Sequence, residues 1–112
     1  MIRIVIVCVV LSLVPCTVGL AARERVKPKV HTVVISGLKF HPDALTVAVG
    51  DTVVWVNKDL VAHTATSSTP GIFDSKLIAP DKSWKLTVRK KGEFAYICTY
   101  HPGMKATLRV VS

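Results

Sequence analysis

The sequence predicts an all-β protein built as an antiparallel β-sandwich. Three observations carry this. Short runs of β-branched and aromatic residues recur along the chain, several of them alternate apolar and polar side chains with a period of two, and turn-forming residues separate them. No stretch gives a convincing helical pattern. The length of 112 residues leaves room for one domain, because two cores sharing so short a chain would rarely hold. Half the residues are apolar and 20% are charged, which argues against intrinsic disorder.

The chain opens on Ile4 to Val14, an apolar run preceded by Arg3, broken by Pro15 and followed by the small residues Gly19, Ala21 and Ala22. The run is shorter than the roughly 20 residues a bilayer span requires. Basic start, short apolar run and small-residue exit describe a secretory signal peptide over residues 1–22, cleaved after Ala21 or Ala22. Leu13-Val14-Pro15-Cys16 also outlines a lipoprotein signal with an anchor at Cys16, although Pro15 is poorly suited to that cleavage. Either way the protein is expected to be exported, to a bacterial periplasm, with no stable membrane span. Residues 23–29 form a basic tail containing Arg23, Arg25, Lys27 and Lys29, and the folded domain is expected over 30–112.

Within that domain, Val30 to Ser36 is β-branched and strand-like. Leu45, Val47 and Val49 alternate with Ala44, Thr46 and Ala48. Gly50-Asp51 marks a turn, and Thr52 to Val56 is a strongly apolar strand closed by Asn57-Lys58-Asp59. Thr64 to Pro70 is rich in Thr and Ser, and the chain stays irregular through Pro80. Trp84, Leu86 and Val88 share one strand face, as do Phe94, Tyr96 and Cys98, and then Ala106, Leu108 and Val110. The six prolines fall outside the clearest strand centres. The count is six to eight strands.

Charge narrows the partners. The chain carries 15 Lys+Arg against 7 Asp+Glu, a net +8, and the signal region holds only Arg3 of these. Basic residues crowd the tail and the Arg89-Lys90-Lys91 turn. Export and the lack of interleaved aromatics argue against nucleic acid. A protein partner with an acidic surface fits better.

Two features carry chemistry. One is Cys98-Thr99-Tyr100-His101-Pro102-Gly103-Met104, read as a strand end running into a tight loop; the other is His63, in the polar loop after the Thr52–Val56 strand. With the signal region removed, Cys98 is the single cysteine, so no internal disulfide forms and the thiol must be buried or used. A metal would help hold so small a domain. The spacing lets one loop wrap an ion with Cys98, His101 and Met104, and a distant residue must complete the shell. If the Thr52–Val56 strand and the strand ending at Cys98 are parallel neighbours, His63 sits beside Cys98. Two His, one Cys and a weak axial Met are the donor set of a type 1, or blue, copper site, whereas zinc prefers four strong donors. His31 and His41 lack such company and read as surface residues.

These residues resemble the cupredoxins, the small blue copper proteins, and in particular their amicyanin and plastocyanin branch. The resemblance covers roughly Val30 to Ser112. Phe40-His41-Pro42, Leu45-Thr46-Val47, Val49-Gly50-Asp51-Thr52-Val53, Trp55, Asn57 and His63 carry its first half; Tyr96-Ile97-Cys98, His101-Pro102 and Met104 carry its second. The short ligand loop is similar to that of amicyanin. The resemblance implies an eight-stranded Greek-key sandwich with one copper ion at one pole. It implies that Nδ1 of His63 and His101, the Cys98 thiolate and the Met104 thioether bind that ion, and that Asn57 ties its strand to Thr99 in support. Tyr100 and Gly103 depart from the usual amicyanin loop, where proline and a bulkier apolar residue are common. They alter the surface around His101, so amicyanin's own partner, an amine dehydrogenase, is not carried over.

The expected function is therefore an exported, monomeric electron carrier cycling between Cu(I) and Cu(II) and serving redox protein partners. Its rival is a protein of the same fold that stores or delivers copper. No second cluster accompanies the site, so no enzymatic activity is expected.

Overall fold

The computed structural model describes residues 27–112, together with Ser12 and Pro15. The signal-peptide reading of 1–22, Cys16 and most of the basic tail lie outside the described residues. Among the described residues no helix is long and apolar enough to cross a membrane.

Eight strands form: β1 (Val30–Ser36), β2 (Lys39–His41), β3 (Ala44–Ala48), β4 (Thr52–Asn57), β5 (Thr66–Ser67), β6 (Ser83–Thr87), β7 (Gly92–Cys98) and β8 (His101–Val111). They build two four-stranded sheets, ordered β2-β1-β4-β6 and β3-β8-β7-β5. The all-β sandwich of about eight strands is as the sequence predicts, but its sheets are mixed. β1 pairs β4 in parallel from Val30↔Thr52 to Ile35↔Asn57, and β3 pairs β8 in parallel; the other pairings are antiparallel. The reason is a change of sheet. After the β1–β2 hairpin only Pro42 and Asp43 separate β2 from β3, so the chain runs on into the opposite sheet. It reverses at Val49–Asp51 and returns beside β1 in β1's own direction.

The hairpin between β1 and β2 turns on Gly37 (φ 60°) and Leu38 (φ 58°). Two successive positive φ values are the mark of a type I′ turn, whose twist matches the flanking strands. Glycine adopts this freely, whereas Leu38 does so at a cost of about 1–2 kcal/mol.

The core lies between the sheets. Val33, Ile35, Val53 and Trp55 project from one sheet, and Val47, Tyr96, Cys98, Leu108 and Val110 from the other, all buried. The large apolar side chains among them each contribute roughly 1.5–3 kcal/mol by leaving water. Phe73, from the irregular stretch between β5 and β6, packs against Trp55 and Tyr96.

One local expectation changes. The predicted loop after Cys98 shrinks to the turn Thr99-Tyr100, and His101 already pairs with Cys98 as the first residue of β8. Pro102 thus lies inside a strand. It is tolerated near the strand's start, where the register shifts at Ile97/Cys98.

Candidate metal centre

β4 and β7 finish at the same pole, but in opposite sheets, so they are not the parallel neighbours on which the sequence argument leaned. His63 reaches Cys98 by another route. After β4 the chain crosses between sheets: His63 bridges Ile78, and three residues later Thr66 pairs Ile97 on β7. The crossing is what brings residues 63 and 98 together.

Three donors converge there. His63 Nδ1 lies 3.6 Å and His101 Nδ1 lies 3.7 Å from Cys98 Sγ, and the three atoms fall within 4.8 Å of one another. These spacings fit a single ion. Metal–nitrogen bonds of about 2.0 Å and a metal–sulfur bond of about 2.3 Å, set at trigonal angles, put N and S about 3.7 Å apart. The donors already stand at that spacing. Met104, on β8, is buried on the inward face with Ala106 and Leu108. The two imidazoles differ in setting. His63 is fully buried, whereas His101 is partly exposed.

The surroundings fix these side chains. His63 Nε2–H donates to Asp59 Oδ2 at 2.8 Å, which leaves the Nδ1 lone pair facing Cys98. The same carboxylate accepts the amide N–H groups of Gly37 (2.7 Å) and Leu38 (2.9 Å), so it binds the β1–β2 turn to the metal pole. Desolvation by burial works against the Asp59 charge, but these amides and His63 outweigh it, and the carboxyl is held below the ordinary carboxylate range. Thr64 N–H points at Cys98 Sγ (3.3 Å), while Thr64 Oγ1 accepts from Thr99 N–H at 2.9 Å. The two donor-bearing segments are therefore cross-braced by protein alone.

A family model described as a cupredoxin-like domain matches residues 4–110. The chain belongs to the cupredoxin-like family. It is 30% identical over 80 residues to amicyanin of Paracoccus denitrificans, covering 68% of this chain and 61% of that protein. It is 27% identical to amicyanin-alpha of Methylorubrum extorquens, covering 68% and 67%. This cupredoxin thus spans a little under two thirds of the Paracoccus protein's length. Among solved structures, a copper-containing nitrite reductase from Thermus scotoductus aligns with a TM-score of 0.68 and 32% identity, over 73% of this chain and 22% of that one. An amicyanin variant in its Cu(I) state also aligns with a TM-score of 0.68, at 26% identity, over 73% and 82%.

Two residues differ from expectation: Asn57 from what the resemblance implies, and His31 from its reading as a surface residue. Asn57 is fully buried at the end of this cupredoxin's β4, but it does not reach Thr99. Its Nδ2 donates to the carbonyls of Val61 (2.8 Å) and Ile78 (2.9 Å), and its Oδ1 accepts from Asp59 N–H (2.9 Å). Asn57 therefore shapes the loop that presents His63. The crossing chain brings Thr64 to Thr99 first, and Thr64 makes the tie expected of Asn57. The second difference is His31. It is half-buried near the opposite pole, with Nε2 at 2.8 Å from Asp51 Oδ2, so it is a structural partner rather than a free surface residue. His41 is exposed, as expected, and contacts Ser36 O. Sequence reasoning passed over Asp59 and Thr64. Their signal was position alone: a carboxylate four residues before His63 and a hydroxyl one residue after it.

Proposed function

We propose that this cupredoxin is an exported one-electron carrier that would hold a single copper ion through His63 Nδ1, Cys98 Sγ and His101 Nδ1, with the Met104 thioether as a weaker fourth donor. The observation that carries this is the spacing of 3.6 and 3.7 Å between the two imidazole nitrogens and the thiol sulfur. Two imidazoles and a thiolate suit copper's two oxidation states, and a thioether suits the softer one. The ion, when bound, supplies a Cu(I)/Cu(II) couple. The chain's own residues do the rest: Asp59 fixes the His63 tautomer, Thr64 N–H offsets charge on the sulfur, and the Thr64–Thr99 brace keeps the donors in place. A site braced in this way changes little between oxidation states, which favours fast transfer. The same bracing supports a carrier that retains its ion over a protein that stores or delivers it.

Partner contact is assigned to the metal pole. His101 is the partly exposed donor, and Tyr100 beside it is 53% exposed. Leu60 (96%) and Val61 (48%) precede His63, and Leu77 (57%) adjoins Ile78, which bridges His63. Exposed apolar residues gathered in this way mark a contact surface. The net charge, +8 for the whole chain and one less once Arg3 leaves with the signal peptide, favours redox partners with acidic surroundings. Transformation of a substrate is assigned to those partners. In this reading residues 1–22 are the cleaved signal peptide, 23–29 a basic tail, and 30–112 the copper domain.

The test is optical. One equivalent of Cu(II) should give an intense absorption toward the red end of the visible range, bleached by one electron and restored on reoxidation, with copper retained through many cycles. A folded protein that carries Cu(II) without this band refutes the site. Ready loss of Cu(I) to a mild acceptor at each cycle would favour delivery.

A further inference from the structure

Beneath the metal pole runs an aromatic column that partner contact at His101 leaves unused. Tyr96 lies two residues before Cys98 on the same inward face of β7 and is 1% exposed. Its ring meets Trp55 edge-on at 5.6 Å between centroids. Trp55 and Trp84 are cross-strand partners on β4 and β6, 5.4 Å apart and tilted by 35°. Phe73 packs against Trp55, Tyr96 and Trp84 at 5.7, 5.7 and 6.3 Å. Each separation falls within the aromatic contact range of about 4.5–7 Å. Tyr96, Trp55 and Phe73 are buried; Trp84, on the edge strand β6, is the member of the column that reaches solvent.

We propose that this column is a second electron route, from the copper site to Trp84, through which the reduced centre repairs one-electron oxidation at that flank of the protein. The proposal rests on the copper reading above. An external one-electron oxidant, an organic radical or a high-potential metal complex, removes one electron from the Trp84 indole. One electron then moves from Cu(I) past Cys98, Tyr96 and Trp55 to Trp84. The indole is restored and the site is left as Cu(II), to be reduced by its ordinary donor. No covalent bond is made or broken, and any proton released by Trp84 returns from water. An oxidised indole is a far stronger oxidant than a Cu(II) thiolate centre, so the electron runs only toward Trp84.

The intermediate rings are suited to bridging rather than trapping the charge. Trp55 Nε1 is the one buried side-chain nitrogen or oxygen among the described residues without a hydrogen-bond partner. Without an acceptor in hydrogen-bond geometry, an oxidised Trp55 is slower to settle as a neutral radical than a residue in contact with water. Trp84 alone has water at hand.

Flash photolysis tests the route. Ruthenium(III) tris-bipyridine, generated in solution by photo-excitation and quenching, oxidises the Cu(I)-loaded protein. The wild type should show an indole radical whose decay matches the growth of the Cu(II) band. Trp84→Phe keeps the half-buried ring and removes the oxidisable indole; copper oxidation should then slow at least about tenfold, equivalent to about 1.4 kcal/mol of barrier. Trp55→Phe leaves Trp84 oxidisable and should prolong its radical. The proposal is overturned if Trp84→Phe oxidises its copper at the wild-type rate, or if the indole radical decays equally fast with and without Cu(I). The static Cu(II) spectrum separates the two readings: its absence takes down the copper site and the route together, whereas a normal spectrum with unchanged kinetics takes down the route alone.

Discussion

Replacing Asp59 by Ala removes one side chain that serves three donors, and the structure sets the size of the effect. The His63 ring N–H is fully buried, so losing its acceptor leaves an unsatisfied group worth about 1–3 kcal/mol. The amides of Gly37 and Leu38 are exposed and can turn to water, so each forfeits only about 0.5 kcal/mol. The sum is about 2–4 kcal/mol in the metal-free protein. For a domain of this size that lowers Tm by on the order of 10–30 °C. A second effect falls on the metal: loss of the carboxylate that orients a ligating histidine typically weakens binding about 10–100-fold. Asp59→Asn separates the two, because its remaining oxygen can accept from His63 while the negative charge is gone. It should recover most of the stability and only part of the affinity. Urea or thermal unfolding of the metal-free variants, with copper affinity by chelator competition, reads both. If Asp59→Ala melts within about 2 °C of wild type, well under the 4–8 °C that 1 kcal/mol produces, the carboxylate is not holding the pole together.

The remaining predictions probe the donors, the brace, the far pole and the strained turn. Cys98→Ser should abolish the red-region absorption while the metal-free fold survives, checked by visible and far-ultraviolet spectra. Thr64→Val removes the acceptor of Thr99 N–H and should destabilise the metal-free protein by about 0.5–1.5 kcal/mol in urea unfolding. Asp51 accepts from the amides of Lys29 and Ala48 and from His31, in that order of effect, and these outweigh desolvation to lower its pKa from 3.8 to about 2. Because the folded-state value is depressed, its contribution is complete above about 3.8 and is lost as the pH falls toward 2; Asp51→Asn should flatten the stability profile across that window. Leu38→Asn, better suited to the left-handed turn at φ 58°, should raise the urea midpoint by up to about 1 kcal/mol of stability.

The strands were legible because their signal is local. Alternation placed Phe94, Tyr96 and Cys98 on one face, and Ala106, Leu108 and Val110 on another, and five of these six are buried. Pairing is a different matter. Alternation says which side of a strand faces inward but nothing about which strand lies beside it, so the parallel β1–β4 and β3–β8 pairs were hidden. Cys98 and His101 were legible as candidate donors by their chemistry and spacing, and the structure gathers His63 with them. Their braces were not. Asp59 resembles any turn carboxylate until the β1–β2 turn is folded against it, and Thr64 resembles any loop threonine until the crossing sets it beside Thr99.

The asymmetry between the two histidines follows from the same crossing. His63 sits where the chain passes from one sheet to the other, with its backbone N–H and C=O both bonded to Ile78 and its ring held by Asp59. It is fixed at three points and has no exposed surface. His101 opens β8 after a two-residue turn, and among the described residues its ring has no hydrogen-bond partner besides Cys98. A donor that must both bind a metal and meet a partner cannot be walled in by carboxylates and carbonyls, because each would have to be displaced or buried when the partner docks. Under the proposed function the fold divides the work: the crossing supplies a donor fixed at three points, and the strand-opening turn supplies one whose outer edge stays clear. In that reading the exposed Tyr100, beside His101, and Leu60, in the loop before His63, are free to meet the partner.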